Sequence, residues 1–328
     1  MFQLIAPYIA IAIGFFGLIW SADRFVNGAA AIASQFGMST LLIGLTIVAF
    51  GTSAPEILVS INAGLAGAGA LAVGNAVGSN LANIGLVLGI TALIAPLPIS
   101  RRLIRREVLY VAAATIAGGL VLFDHSIVWY ETVALFALLI FILGLLVRQR
   151  SEHPEMAEAE EVEELAHINE ISSAKAWFLF GLGLILLIAS SDILVWGSTE
   201  VASRFGVSEL IIGLTVVAIG TSLPELAASV ASALKGHHDI ALGNVLGSNL
   251  FNLLAVMALP GLFGQLAVEP AAFERDYTAM AGITALLIGM MIFAVSTQRR
   301  GAKLARWTGL LMLGPYLAYF VVLFNAQM

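Results

Sequence analysis

The chain contains no cysteine, so disulfides and thiolate metal sites are excluded outright. Charge is almost as scarce. Asp, Glu, Lys and Arg make up 11% of the 328 residues, against 60% hydrophobic, and the mean hydropathy is +0.98. A water-soluble domain this apolar would have too little polar surface to show to its solvent, so lipid is the expected solvent. ATP-binding motifs are missing, which argues against a pump. A nucleophile elbow of the form G-x-S-x-G is missing too, and His125, His153, His167, His237 and His238 all fall in loops of the reading below. Ser53 or Ser222 would then have no base beside it, so an intramembrane hydrolase is disfavoured. The N-terminal apolar run has neither a basic leader nor a small-residue cleavage site and reads as a first span, not a signal peptide.

What is present is a series of apolar stretches. Ten spans are expected, at 4–23, 40–64, 71–96, 107–123, 127–147, 176–198, 209–233, 240–263, 278–296 and 304–325. With the N-terminus outside, the inner loops collect Arg24, Arg101, Arg102, Arg105, Arg106, Arg148, Arg150, Lys175, Lys235, Arg299, Arg300, Lys303 and Arg306. Only Arg204 and Arg275 fall outside, so thirteen of the 15 basic residues share one side. That positive-inside bias puts both termini outside and fits an even number of spans. The arrangement is compatible with a bacterial inner membrane.

The sequence is also duplicated. GLTIVAFGTSAPE at 44–56 recurs as GLTVVAIGTSLPE at 213–225, and GNAVGSNLAN at 74–83 recurs as GNVLGSNLFN at 243–252. The offset of 169 residues also pairs Asp23 with Asp192 and residues 33–39 with 202–208. Five spans per copy is an odd number, so the second copy must be inverted relative to the first. The expected fold is therefore all-α: ten transmembrane helices as two inverted five-helix repeats, 1–148 and 176–328, joined by an acidic cytoplasmic linker at 149–175. Secondary transporters built this way bind substrate where the repeats meet. The linker carries Glu152, Glu155, Glu158, Glu160, Glu161, Glu163, Glu164 and Glu170, without the spacing of an EF-hand.

Polar residues inside spans carry the chemistry. Glu56 and Glu225 lie deep in spans 2 and 7, where an ionised carboxylate costs several kcal/mol. No lysine or arginine is expected in the centre of any span to neutralise them. A metal cation would do so; a proton would do so less specifically. Thr52 and Ser53 precede Glu56 on one helical face, and Thr221 and Ser222 do the same for Glu225. Pro55 and Pro224 open the helix there and free carbonyls that must line a cavity or bind an ion. Asn75, Ser79 and Asn83 form a stripe in span 3, repeated by Asn244, Ser248 and Asn252 in span 8. All can offer oxygen, the chemistry of a hard cation such as calcium or sodium. Gly44, Gly51, Gly74, Gly78, Gly213, Gly220, Gly243 and Gly247 allow close helix approach.

GTSAPE and GTSLPE, each followed by the GN, GSN and N elements, resemble the paired alpha repeats of the sodium/calcium exchanger family within the calcium/cation antiporters. The resemblance covers nearly the whole chain. It implies exchange of several sodium ions for one calcium by alternating access, with spans 1 and 6 sliding over a fixed core and no cofactor. It also implies a ligand set: Ala49 (carbonyl), Thr52, Ser53, Glu56, Ser79 and Asn83, with Ala218 (carbonyl), Thr221, Ser222, Glu225, Ser248 and Asn252. Asn252 stands where potassium-dependent members carry aspartate, which makes potassium coupling less expected. Calcium/proton exchange and potassium-dependent exchange are the alternatives within the class. The expected partners are membrane lipid and the ions Na+ and Ca2+, with no nucleic acid and no obligate protein partner.

Other features are read as structural. Asp23 and Asp192 sit near expected span ends, where snorkelling suffices. His237, His238 and Asp239 form a solvated turn between spans 7 and 8. Arg101, Arg102, Arg105 and Arg106 suit topology and contact with anionic lipid.

Overall fold

The computed structural model describes residues 2–67, 69–151, 171–206, 218–297 and 301–325. They are almost entirely helical. A long α1 (Phe2–Gln35) leads to α2 (Thr40–Thr52) and α3 (Ala54–Leu65). Then come α4 (Gly69–Ala82), α5 (Glu107–Leu122) and α6 (Trp129–Ser151). The second half holds a long α7 (Ser173–Arg204), a one-turn α8 (Ala218–Thr221), α9 (Leu223–Leu234) and α10 (His238–Phe251). It ends with α11 (Thr278–Thr297) and α12 (Arg306–Asn325). Among the described residues seven helices are long and apolar enough to cross a membrane, or eight when α2 and α3 count as one bent span. The eight glutamates of the linker, His153 and His167 lie outside the described residues.

Two helices exceed their expected spans. α1 continues past Asp23 and Arg24 to Gln35, and α7 continues to Arg204. The tail of α1 holds because Phe25, Val26 and Ala29 to Ala33 are buried against the protein core. Arg24 is thus within a helix rather than in a loop, and neither aspartate lies at a span end. Both long helices stop at a left-handed glycine two residues on, Gly37 (φ 54°) and Gly206 (φ 78°), as helix C-termini often do. They pack on each other along their length. A Cβ on Gly14 would meet Leu194, on Gly28 it would meet Phe180, and on Gly197 it would meet Pro7. Contacts that climb one helix as they descend the other make the pair antiparallel. Phe25 and Phe180 stack across it at 4.9 Å.

The centre belongs to α10, in which every residue from Ile240 to Phe251 is buried. It lies on the first half of the bent span: a Cβ on Gly44 would meet the Ile240 carbonyl at 2.8 Å, and one on Gly243 the Leu41 carbonyl at 2.6 Å. Backbone cannot give way as a flexible side chain can. Gly243→Ala is therefore expected to destabilise the protein by about 1–3 kcal/mol. Gly289→Ala, in α11 with nothing within 4 Å among the described residues, should be neutral or slightly stabilising. Thermal unfolding in detergent compares the two. The expected close approach does not extend to Gly74 and Gly78, which have no described atom within 4 Å of a Cβ.

Two short antiparallel clips join distant loops. Leu97–Pro98 pairs with Lys303–Leu304, and Ser126–Ile127 pairs with Leu266–Ala267. Beside the first clip, Arg101, Arg102 and Arg105 are exposed on a short helix whose Leu103 is buried, an anchor with a cationic outer face. The turn after α9 is not solvated as expected. His237 is buried, its N–H bonded to the Ser232 carbonyl at 2.9 Å, while His238 and Asp239 begin α10.

Candidate cation site

Both prolines break their helices where the sequence predicts. α2 and α3 meet at a 48° bend about Ser53, whose φ and ψ are −81° and 5°; Ser222, between α8 and α9, has −91° and 4°. Each serine sits in the bridge region, where a chain can turn from one helix into the next. The break leaves the carbonyl end of one short helix and the N–H end of the next facing the same space. Glu56 and Glu225 occupy the first turn of the second pieces, 1% and 0% exposed. Opposite them, α4 and α10 each widen into a π turn that starts at an asparagine: Asn83–Leu88 and Asn252–Val256. Such turns recur at functional sites because they turn side chains out of register.

The side chains of the two halves interlock. Ser53 Oγ donates to Glu225 Oε1 at 3.5 Å, and Ser79 Oγ donates to Glu56 Oε1 at 3.4 Å. Thr52 Oγ1 donates to Asn244 Oδ1 at 3.0 Å and lies 3.5 Å from Ser248 Oγ. Thr52, Ser53, Glu56, Ser79, Asn83, Ser222, Glu225, Ser248 and Asn252 are all buried; Thr221 is half-buried. The structure therefore links residues of both halves around the glutamates. It does not bring a third carboxylate: among the described residues no cluster of three His, Cys, Asp or Glu occurs.

Asn75 and Asn244 have a different task from the ligand stripe in which they were grouped. Their Nδ2 atoms donate to the carbonyls of Glu56 (3.2 Å) and Glu225 (3.3 Å) and so hold the backbone of each glutamate. The freed carbonyls also differ from expectation. Gly220 O, stripped of its partner by Pro224, accepts from Ser191 Oγ on α7 at 2.8 Å. Ala49 O accepts from the Ser53 N–H at 3.0 Å, and Thr52 Oγ1, whose single proton goes to Asn244 Oδ1, lies 3.3 Å from it. Residue-by-residue reading missed Ser60, Ser229, Asn80 and Asn249. Ser229 accepts from Asn244 Nδ2 at 3.0 Å, Asn80 Nδ2 reaches the Asn249 carbonyl at 3.3 Å, and Ser60 binds the Val256 carbonyl. Their signal was present: each pair obeys the 169-residue offset.

The fit to a cation rests on what is left over. Glu56 Oε2, Glu225 Oε2, Ser222 Oγ, Asn83 Oδ1 and Asn252 Oδ1 are buried oxygens with no hydrogen-bond partner among the described residues. Unsatisfied buried acceptors are costly, and two of these belong to carboxylates. Hard cations with oxygen shells would satisfy them.

A helical membrane protein with two broken helices, paired buried carboxylates and spare oxygen donors is a cation carrier of the secondary-transporter class. Residues 6–148 and 175–325 match the family model described as sodium/calcium exchanger protein, and the chain belongs to that family. It is 42% identical over 98% of its length to all of the candidate antiporter CaxA of Alkalimonas amylolytica. It is 30% identical to the sodium/calcium exchanger MaX1 of Methanosarcina acetivorans, with 97% of this chain and 98% of that protein covered. A solved structure of the sodium-calcium exchanger NCX_Mj, soaked with 2.5 mM Na+ and 0.1 mM Ca2+, superposes with a TM-score of 0.80 at 31% identity, over 97% of this chain and 98% of that one.

Proposed function

We propose that the protein exchanges sodium for calcium across a bacterial inner membrane by alternating access, with no covalent chemistry. The observation that carries this reading is the set of five unpartnered buried oxygens at repeat-related segments around Glu56 and Glu225. The ligands are Thr52, Ser53, Glu56, Ser79 and Asn83 with Thr221, Ser222, Glu225, Ser248 and Asn252; the carbonyls of Ala49 and Ala218 complete the set by exposing lone pairs when the ions arrive. Two glutamates give the centre a charge of −2, which one calcium balances, and sodium ions can take the same oxygens on the return step.

The chain does this as ten spans in two inverted repeats, 1–148 and 176–328, with 149–175 between them and both termini outside. The antiparallel packing of α1 on α7 supports inversion, because spans 1 and 6 are equivalent by the repeat yet run in opposite directions. The two clips support the alternation. Ten spans put the 3–4 and 9–10 loops on one side and the 4–5 and 8–9 loops on the other, and the clips join those same loops.

The test is calcium-45 uptake into proteoliposomes with sodium, potassium and proton gradients imposed one at a time. An outward sodium gradient alone should drive uptake. Uptake driven by a pH gradient and indifferent to sodium would overturn sodium coupling in favour of calcium/proton exchange.

A further inference from the structure

The duplicated aspartates have diverged. Asp23 is neutralised: Lys235 Nζ lies 2.5 Å from its Oδ1 and Arg24 Nη1 lies 2.9 Å from its Oδ2. Lys235 also donates to Asn27 Oδ1 at 2.8 Å, so α1 is clasped to the end of α9. The positions that would provide the same partners to Asp192 hold Ile193 and Ala66, 169 residues from Arg24 and Lys235. Among the described residues, the Asp192 carboxylate has no ion pair or hydrogen bond. Asp192 is itself exposed, and twelve residues of α7, about 18 Å of helix, follow it.

Instead Asp192 lines a cavity of about 150 Å³ together with Ser191, Gly220, Thr221, Pro55 and Pro224. Pro55 and Pro224 stand at the two helix breaks, each one residue from Glu56 or Glu225. The cavity thus runs from an unpaired carboxylate on α7 to the backbone that carries the cation centre. The antiparallel register sets the level of Asp192 near Gly14 and Gly17 of α1, and that of Asp23 near Gly183 of α7. The two aspartates are about 12 Å apart along the pair.

We infer that Asp192 is a cation-recruiting residue in an access vestibule, which draws sodium and calcium toward the Glu56–Glu225 centre from one side of the membrane. This rests on the proposed exchange function. An unpaired carboxylate at the mouth of a low-dielectric cavity concentrates cations and speeds their arrival without adding to the final coordination shell. Asp23, already paired, cannot do so in this conformation.

The test is calcium uptake in proteoliposomes by wild type, Asp192→Asn, Asp192→Glu and Glu56→Gln, each at low and high ionic strength. Asp192→Asn should raise the calcium concentration for half-maximal uptake about tenfold at low ionic strength, with maximal rate preserved. High salt should shrink the difference, and Asp192→Glu should restore wild-type behaviour. A purely structural role would lower the maximal rate, ignore salt, and so overturn the inference. An unchanged half-maximal concentration in Asp192→Asn, with Glu56→Gln inactive, overturns the vestibule alone. Near-wild-type uptake by Glu56→Gln overturns the ion centre beneath it.

Discussion

Glu56→Gln and Glu225→Gln should each abolish sodium-driven calcium uptake. Glutamine keeps the volume of glutamate and can still accept the hydrogen bonds from Ser79, within the first half, and from Ser53, across the halves. What disappears is half the charge that a dehydrated divalent ion needs. Removing one charged member of a buried pair costs about 3–5 kcal/mol. At 1.4 kcal/mol per tenfold, the calcium concentration for half-maximal flux should rise at least about 100-fold. The duplication adds a stricter expectation: both variants should fail alike, because both glutamates open a second helix piece beside a broken turn. Thermal unfolding of the purified variants should stay close to wild type, which separates lost binding from lost fold. A variant that still exchanges calcium at near wild-type rate removes that glutamate from the site.

The second large effect concerns Asn252. Wild-type flux should not need potassium, and Asn252→Asp should create a dependence on potassium, on pH, or on both. Asn252 is fully buried at the start of its π turn, and neither its Nδ2 nor its Oδ1 has a partner among the described residues. With Glu56 and Glu225 ionised, one calcium leaves the centre neutral; a further ionised carboxylate leaves it at −1. In a low-dielectric interior that charge recruits a proton or a monovalent cation. Calcium flux measured at fixed sodium, with potassium replaced by choline, reads the difference directly. A large loss of wild-type flux in choline would place the protein among potassium-dependent exchangers.

Much of this architecture was legible in the sequence. Pro55 and Pro224 announced the breaks, since a proline inside an apolar run removes a hydrogen bond wherever the rest of the chain lies. The GSN and GN elements announced the stripes on α4 and α10, because four-residue spacing is set by the helix itself. The extent of α1 and α7 was not legible. Asp23 and Arg24 look like the end of a span until Lys235, 212 positions away, is known to reach Asp23. The duty of Asn75 and Asn244 was likewise hidden: a helical stripe says which face a side chain takes, not whether its amide spends its donors on a neighbouring backbone.

By itself the sequence determined the solvent, the duplication and the two buried carboxylates, because apolar content, internal identity and residue type are properties of the chain in any conformation. Only the tertiary structure decided which freed polar groups are already satisfied and which are left for an ion. Gly220 O is taken by Ser191 across from α7, while Glu225 Oε2, five residues further on, has no partner among the described residues. It decided too that one copy of a duplicated aspartate is clasped by lysine and the other faces a cavity. The physical reason is common to these cases. A desolvated polar group must find its partner among whatever surrounds it, and in a bundle of long helices those surroundings come from segments far away in the sequence.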